Sequence, residues 1–105
     1  MTTDEAARRV LVVDDEVDFV ETLVDILSSR GYEVAFAHSA VEAQREVAAR
    51  TPAVALLDIR LGRSSGVDLL AALRSTTPGL VCVMMTAYAD VETAVEAMRL
   101  GAYDF

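Results

Sequence analysis

Two short apolar runs constrain the fold of this chain more than any other feature. They occupy residues 10–13 (Val-Leu-Val-Val) and residues 54–57 (Val-Ala-Leu-Leu), and neither contains a polar position. A strand that is apolar at every position is suited to burial on both faces, as in a parallel sheet covered by helices. The two runs therefore predict a layered α/β fold with a parallel sheet.

Both runs end in acidic residues. Asp14 and Asp15 follow the first run, and Asp58 follows the second. The carboxyl ends of parallel strands meet at one edge of a sheet, where open α/β proteins bind their ligands. Three carboxylates at that edge repel one another unless a cation joins them, and Mg²⁺ takes oxygen ligands of this kind. The alternative is that they are turn residues or helix N-caps, which explains one or two of them but accounts poorly for a doubled aspartate followed by Glu16.

The rest of the chain alternates between strand and helix patterns. Ser39 with Glu42 forms a capping-box pattern, and Gly31 and Gly101 are predicted helix stops. A polar loop is predicted at residues 59–65. Strands are predicted at residues 9–14, 32–37, 53–57 and 80–85, and helices at residues 16–29, 39–49, 66–74 and 91–100. Short connections between alternating elements predict a doubly wound parallel sheet with helices on both faces.

Composition narrows the possible functions. The 105 residues suit a single domain, and a hydrophobic content of 53% excludes disorder. The formal net charge of −8 makes direct binding of nucleic acid by this stretch unfavourable. No apolar run approaches the roughly 18 residues of a membrane span, and the first residues do not form a signal peptide, so we expect a cytoplasmic protein.

Two single residues are interpreted as structural. Cys82 lies within an apolar run and is predicted to be a buried small hydrophobe. His38 has no second histidine or cysteine at ligand spacing, so a transition-metal site is not expected there. We interpret His38 as a surface or turn residue.

Several motifs together resemble the receiver domain of two-component response regulators. The resemblance covers essentially the whole chain, and its closing part is most similar to receivers of NtrC-like transcriptional regulators. It implies a flavodoxin-like (CheY-like) receiver fold. The motifs are Val12-Val13-Asp14-Asp15-Glu16, Leu56-Leu57-Asp58 with Gly66 eight residues on, Met85-Thr86-Ala87-Tyr88, and Gly101-Ala102-Tyr103-Asp104-Phe105.

The resemblance implies a phosphoacceptor signalling switch that uses Mg²⁺. Asp58 would accept a phosphoryl group from a sensor histidine kinase. Asp15 and Asp58 would bind the cation directly with the main-chain carbonyl of Arg60, and Asp14 would act through a water molecule. An output domain is expected on the C-terminal side of this chain, and a homodimer is a further expectation left open.

The resemblance also assigns residues that would contact the phosphoryl group or report its presence. Thr86 would hydrogen-bond a phosphoryl oxygen, and the main-chain amides of Ile59 and Ala87 would donate further hydrogen bonds. Phe105 matches the family's switch aromatic. The alternatives are that Thr86 simply ends a strand and that Phe105 is an ordinary core residue.

Two positions depart from the family pattern. The family places a lysine three residues after the switch aromatic, but this chain ends before that position and contains no lysine. We therefore expect weaker phosphorylation or a weaker response to it. Gly62 stands where the family usually has proline, which loosens the loop. The long apolar edge predicted at residues 81–85 leads us to expect that the protein continues through the end of a fifth strand and a last helix.

Three functions from different classes remain open. The leading one is the phosphoacceptor switch, supported by Asp14, Asp15, Asp58 and Thr86 together. A second is a phosphorylation-independent dimerisation or docking module, for which an intact acidic cluster is not needed. A third is a Mg²⁺-dependent phosphohydrolase, but Arg60 stands where such enzymes usually place their general acid. We therefore do not expect an enzyme beyond self-phosphorylation.

Overall fold

The fold is a four-stranded parallel sheet wound by helices. The computed structural model describes residues 8–58, 60–61, 64–85 and 99–102. The predicted helix at residues 91–100 lies mostly outside these ranges. The elements follow the chain in the order β1 (Arg9–Val13), α1 (Val17–Ser29), β2 (Glu33–Ala37), α2 (Ala40–Ala49), β3 (Val54–Asp58), β4 (Arg60–Leu61), β5 (Ser64–Ser65), α3 (Gly66–Thr76) and β6 (Val81–Met85).

The strand order places the two apolar runs side by side. The sheet has the order β2-β1-β3-β6, and every neighbouring pair is parallel. Val13 is paired with Leu57, so the residues that follow them, Asp14 and Asp58, reach the same end of the sheet. The predicted parallel sheet is confirmed, and β1 lies in its interior between β2 and β3.

Side chains of β1 are buried alternately on the two faces of the sheet. Leu11 and Val13 belong to a core that includes Leu70 of α3. Val12 packs on the opposite face, in a smaller core with Val20 of α1. Because each face is covered by a helix, every position of the run must be apolar. The predicted doubly wound architecture is therefore confirmed.

The segment predicted as a polar loop at residues 59–65 contains a short hairpin instead. Strands β4 and β5 pair in antiparallel fashion, with Arg60 opposite Ser65. The prediction was wrong here because strands of two residues are too short to show alternating hydrophobicity. Ser65 then caps α3, since its Oγ accepts hydrogen bonds from the N–H groups of Val67 at 3.2 Å and Asp68 at 3.4 Å.

Among the described residues, no helix combines the length and the apolar content needed to cross a membrane.

Arg74 supports the turn between α3 and β6. Its Nη1 donates hydrogen bonds to the carbonyl oxygens of Pro78 at 2.6 Å and Leu80 at 2.7 Å. Gly101 lies against this side chain with φ of +102°, and a Cβ built at Gly101 would be 2.9 Å from Arg74 Nε. A side chain at Gly101 would therefore meet both backbone strain and a steric conflict.

We predict that Gly101→Ala lowers the free energy of unfolding by about 1–2 kcal/mol, because L-residues are disfavoured at this φ. Gly79→Ala is the matched control, since a Cβ there meets nothing within 4 Å and its φ is not positive. The control is expected to be neutral or to stabilise by up to about 1 kcal/mol. Urea unfolding followed by circular dichroism measures both, and equal effects of the two substitutions would contradict the prediction.

Candidate metal centre

Three carboxylates meet at the carboxyl end of β1 and β3. Asp14, Asp15 and Asp58 each offer one oxygen atom, and these three atoms lie within 4.8 Å of one another. Asp14 is buried at 7% exposure, Asp58 is half-buried, and Asp15 is exposed. The strand ends therefore bring together the three acids that the sequence singles out.

The backbone around Asp14 is held by its neighbours. Its N–H donates to the carbonyl of Ala37 at 3.1 Å, which continues the pairing of β1 with β2 past the last strand residue. Its Oδ1 accepts a hydrogen bond from the N–H of Glu16 at 2.9 Å. The alternative that Asp14 is a turn residue is therefore correct, and this role coexists with its place in the cluster. The N-cap of α1 is Glu16, which makes no side-chain capping hydrogen bond.

Asp58 is placed by the sheet itself. It is the last residue of β3 and is paired with Met85 of β6. Its carboxylate lies at the carboxyl end of the sheet, with one oxygen within 4.8 Å of oxygens of Asp14 and Asp15. The position of Asp58 therefore follows from strand pairing.

The electrostatics of the cluster favour a bound cation. Two ionised carboxylates about 5 Å apart repel by roughly 3 kcal/mol at an effective dielectric constant near 20, and exposure of Asp15 to water weakens its share. The attraction of a divalent cation to each carboxylate would outweigh this repulsion. Because the donor atoms are all carboxylate oxygens, they fit a hard ion such as Mg²⁺ or Ca²⁺ better than a softer ion such as Cu⁺.

The remaining predicted site residues are only partly described. Arg60 begins β4 two positions after Asp58, and the role of its main-chain carbonyl stays a prediction. Ile59, Thr86, Ala87 and Phe105 lie outside the described residues, so their predicted roles also stay predictions.

His38 is a contact of the site that sequence reasoning missed. His38 lies in the turn between β2 and α2, in keeping with its interpretation as a surface or turn residue, but it is half-buried and its Nδ1 lies 3.0 Å from the main-chain oxygen of Asp14. Its own N–H donates to Glu42 Oε2 at 3.1 Å. The signal that could have identified it is its position directly after a predicted strand, where side chains reach the carboxyl edge of a parallel sheet.

Cys82 takes no part in the site. It is fully buried in β6, as predicted. Burial raises the pKa of its thiol, and the positive charge of Arg74 lowers it to a smaller extent. The thiol is therefore neutral near pH 7 and behaves as a small apolar side chain.

Comparison with known proteins points to one family. A family model described as the response regulator receiver domain matches residues 10–105. The alginate biosynthesis transcriptional regulatory protein AlgB of Pseudomonas aeruginosa is 40% identical over 104 residues, which cover 99% of this chain and 23% of AlgB. The chain thus spans less than a quarter of the length of that relative.

Solved structures show the same fold. A response regulator from Burkholderia pseudomallei, crystallised with a phosphorylated aspartic acid, a calcium ion and citrate, superposes with a TM-score of 0.89 at 36% identity, covering 92% of this chain and 57% of that one. The receiver domain of NtrX from Brucella abortus gives a TM-score of 0.85 at 42% identity, covering 91% and 82%. AlgB and NtrX are NtrC-type regulators, the group that the closing motif of this sequence resembles.

We predict that Mg²⁺ stabilises the chain through the three-carboxylate cluster. At ten times its dissociation constant the cation adds about 1.4 kcal/mol to the free energy of unfolding, which corresponds to roughly 6–10 °C in Tm for a domain of this size. Asp58→Asn should lose most of this increase, because it removes one of the three carboxylates of the cluster.

Asp25→Asn is the control for that measurement. Asp25 is an exposed acid on α1 outside the cluster, so its loss changes the net charge by the same amount. Thermal unfolding with and without Mg²⁺ should give Asp25→Asn the wild-type increase in Tm. An equal loss of the increase in both variants would indicate non-specific screening instead of a site.

Proposed function

The chain belongs to the response regulator receiver family, and on that premise we propose that it is the phosphoacceptor switch of a two-component signalling pathway. One observation carries the proposal: the carboxylates of Asp14, Asp15 and Asp58 lie within 4.8 Å of one another at the end of two parallel strands. The related Burkholderia pseudomallei protein, crystallised with a phosphorylated aspartic acid and a calcium ion, supports both parts of this assignment.

Asp58 is the proposed nucleophile. A carboxylate oxygen of Asp58 attacks the phosphorus of a phosphohistidine on a sensor histidine kinase. The phosphorus–nitrogen bond breaks, and its electron pair returns to the imidazole nitrogen, which takes up a proton to leave neutral histidine. The product is an aspartyl phosphate at Asp58. Placement of Asp58 at the end of a paired strand restrains its backbone and would lower the entropic cost of the transfer.

The neighbouring acids supply the cation site. When bound, Mg²⁺ neutralises charge on the carboxylates and on the incoming phosphoryl group. Asp15 and Asp58 are the proposed direct ligands, with the carbonyl of Arg60 completing the protein's share. Asp14 is more constrained, because its Oδ1 already accepts the Glu16 N–H. We therefore assign Asp14 contact through a water molecule.

The response to phosphorylation is proposed for residues near the end of β6 and beyond it. Thr86 would hydrogen-bond the phosphoryl group, with further donors from the main chain of Ile59 and Ala87, and Phe105 would repack as the switch aromatic. The phosphoryl group must bind one of two conformations better in order to shift their populations. The resulting surface change would control an output domain, which in a relative such as AlgB belongs to a transcriptional regulator.

A hydrolase role is not part of the proposal. Aspartate-based phosphohydrolases usually carry a general acid two positions after the nucleophile. In this chain that position is Arg60, which keeps its positive charge and does not serve as a proton donor.

We predict that incubation with a small phosphodonor and Mg²⁺ adds one phosphoryl group to the chain, detected as a single mass increment in intact-mass spectrometry. Asp58→Asn should gain none, because its amide is not a nucleophile. Removing Mg²⁺ with a chelator should slow the gain at least about tenfold.

Asp25→Asn again provides the control and should be phosphorylated at the wild-type rate. A gain in Asp58→Asn equal to that of the wild type would show that another residue is the acceptor. Absence of any gain in the wild type would instead favour the docking module.

A further inference from the structure

The backbone N–H and the backbone carbonyl of Asp14 both contact the end of β2. On the amino side, the Asp14 N–H donates to the carbonyl of Ala37 at 3.1 Å. On the carboxyl side, the Asp14 carbonyl oxygen lies 3.0 Å from Nδ1 of His38, a residue 24 positions away in the chain. The backbone N–H and carbonyl of Asp14 thus contact two consecutive residues, Ala37 and His38, at the end of β2.

His38 acts as the donor in this contact. A carbonyl oxygen can only accept a hydrogen bond, so Nδ1 carries the proton and the imidazole is held in one tautomer. The contact is specific to a side chain with a donor at this position. A residue without one would leave the carbonyl of the buried Asp14 without this partner.

The backbone and the ring of His38 each contact a neighbouring side chain. Its backbone N–H donates to Glu42 Oε2 at 3.1 Å, and Glu42 is bound in turn by the N-cap Ser39, whose Oγ donates to the same carboxylate oxygen at 3.2 Å. The imidazole also packs against Phe36, with ring centroids 5.3 Å apart. The helix cap thus restrains the His38 backbone and Phe36 restrains its ring, and a restrained donor can define the orientation of its acceptor.

We infer that His38 is a positioning residue for the acidic site, holding the Asp14–Asp15 peptide so that both carboxylates face Asp58. The peptide whose oxygen His38 contacts is the one that joins Asp14 to Asp15, so a rotation of its plane displaces both side chains together. Contacts one layer outside the ligands commonly set metal affinity in this way. The inference rests on the proposed function, because it assigns His38 to the same cation and phosphoacceptor site.

Two substitutions separate the hydrogen bond from the packing of the ring. His38→Phe keeps an aromatic ring against Phe36 but removes the donor. His38→Asn removes the ring but places an amide N–H on the Cγ atom, where the imidazole carries Nδ1. A purely structural role of the ring predicts that His38→Asn is the more damaging change, whereas positioning predicts the reverse.

The first readout is the set of NMR chemical shifts of the Asp14–Asp15 peptide, measured without any cation. In the metal-free chain labelled with ¹³C and ¹⁵N, the carbonyl shift of Asp14 and the amide nitrogen shift of Asp15 report the hydrogen bond to that peptide. Both shifts should move in His38→Phe and return towards the wild-type values in His38→Asn. Unchanged shifts in His38→Phe would overturn the inference, whether or not the chain binds Mg²⁺.

The second readout is the affinity for Mg²⁺, measured by titration of the same amide signals. His38→Phe should weaken binding about fivefold, the effect of losing one ordinary hydrogen bond, and His38→Asn should stay within about twofold of the wild type. A lower Tm in both variants with unchanged affinity would overturn the positioning role and leave only a structural one. So would an equal loss of affinity in both variants.

Different results would contradict the proposed function and the inference about His38. A wild-type chain that neither binds Mg²⁺ nor gains a phosphoryl group contradicts the proposed function, while the Asp14 carbonyl shift still decides whether His38 holds the peptide. A wild-type chain that does both, beside a His38→Phe variant with wild-type shifts and affinity, contradicts only the inference about His38.

Discussion

The parallel pairing of β1 with β3 is the interaction on which the rest of the structure depends. It aligns Val13 with Leu57 and so delivers Asp14, Asp15 and Asp58 to one edge of the sheet. The pairing persists because β1 is buried on both faces and β3 is buried at Ala55 and Leu57 and half-buried at Val54 and Leu56, which the apolar runs permit and a polar residue would disrupt. Repulsion among the three carboxylates opposes the same arrangement, and a bound cation would offset that repulsion.

The pairing of β1 with β2 adds a second support from the other side. It brings Ala37 and His38 against the backbone of Asp14, and the cap of α2 holds His38 through Glu42. The turn that carries Asp14 and Asp15 is thus held by contacts from two strand ends and a helix cap. Such convergence is expected where a site must keep its geometry before a ligand arrives, since preorganised groups need not be ordered at the moment of binding.

Sequence reasoning could predict the sheet and the acidic cluster because both follow from strongly periodic or strictly apolar segments. The runs that became β1 and β3 have no polar residue, and the acids directly after them leave little choice of position. The β4–β5 hairpin was not predicted because its strands have only two residues each. The contact of His38 with Asp14 was not predicted because the two residues are 24 positions apart in the chain. They meet only through the register of β1 and β2. The roles of Thr86 and Phe105 stay predictions.

The proposed cation and phosphoacceptor site can be tested by a crystal structure of the chain grown with Mg²⁺ and beryllium fluoride, a mimic of the phosphoryl group. We expect a cation with carboxylate oxygens of Asp15 and Asp58 at about 2.1 Å, and the fluoride group joined to the Asp58 carboxylate. Asp14 should lie one water molecule away from the cation. A cation bound at another acidic surface, or beryllium fluoride joined to a different carboxylate, would show that the site is assigned to the wrong residues.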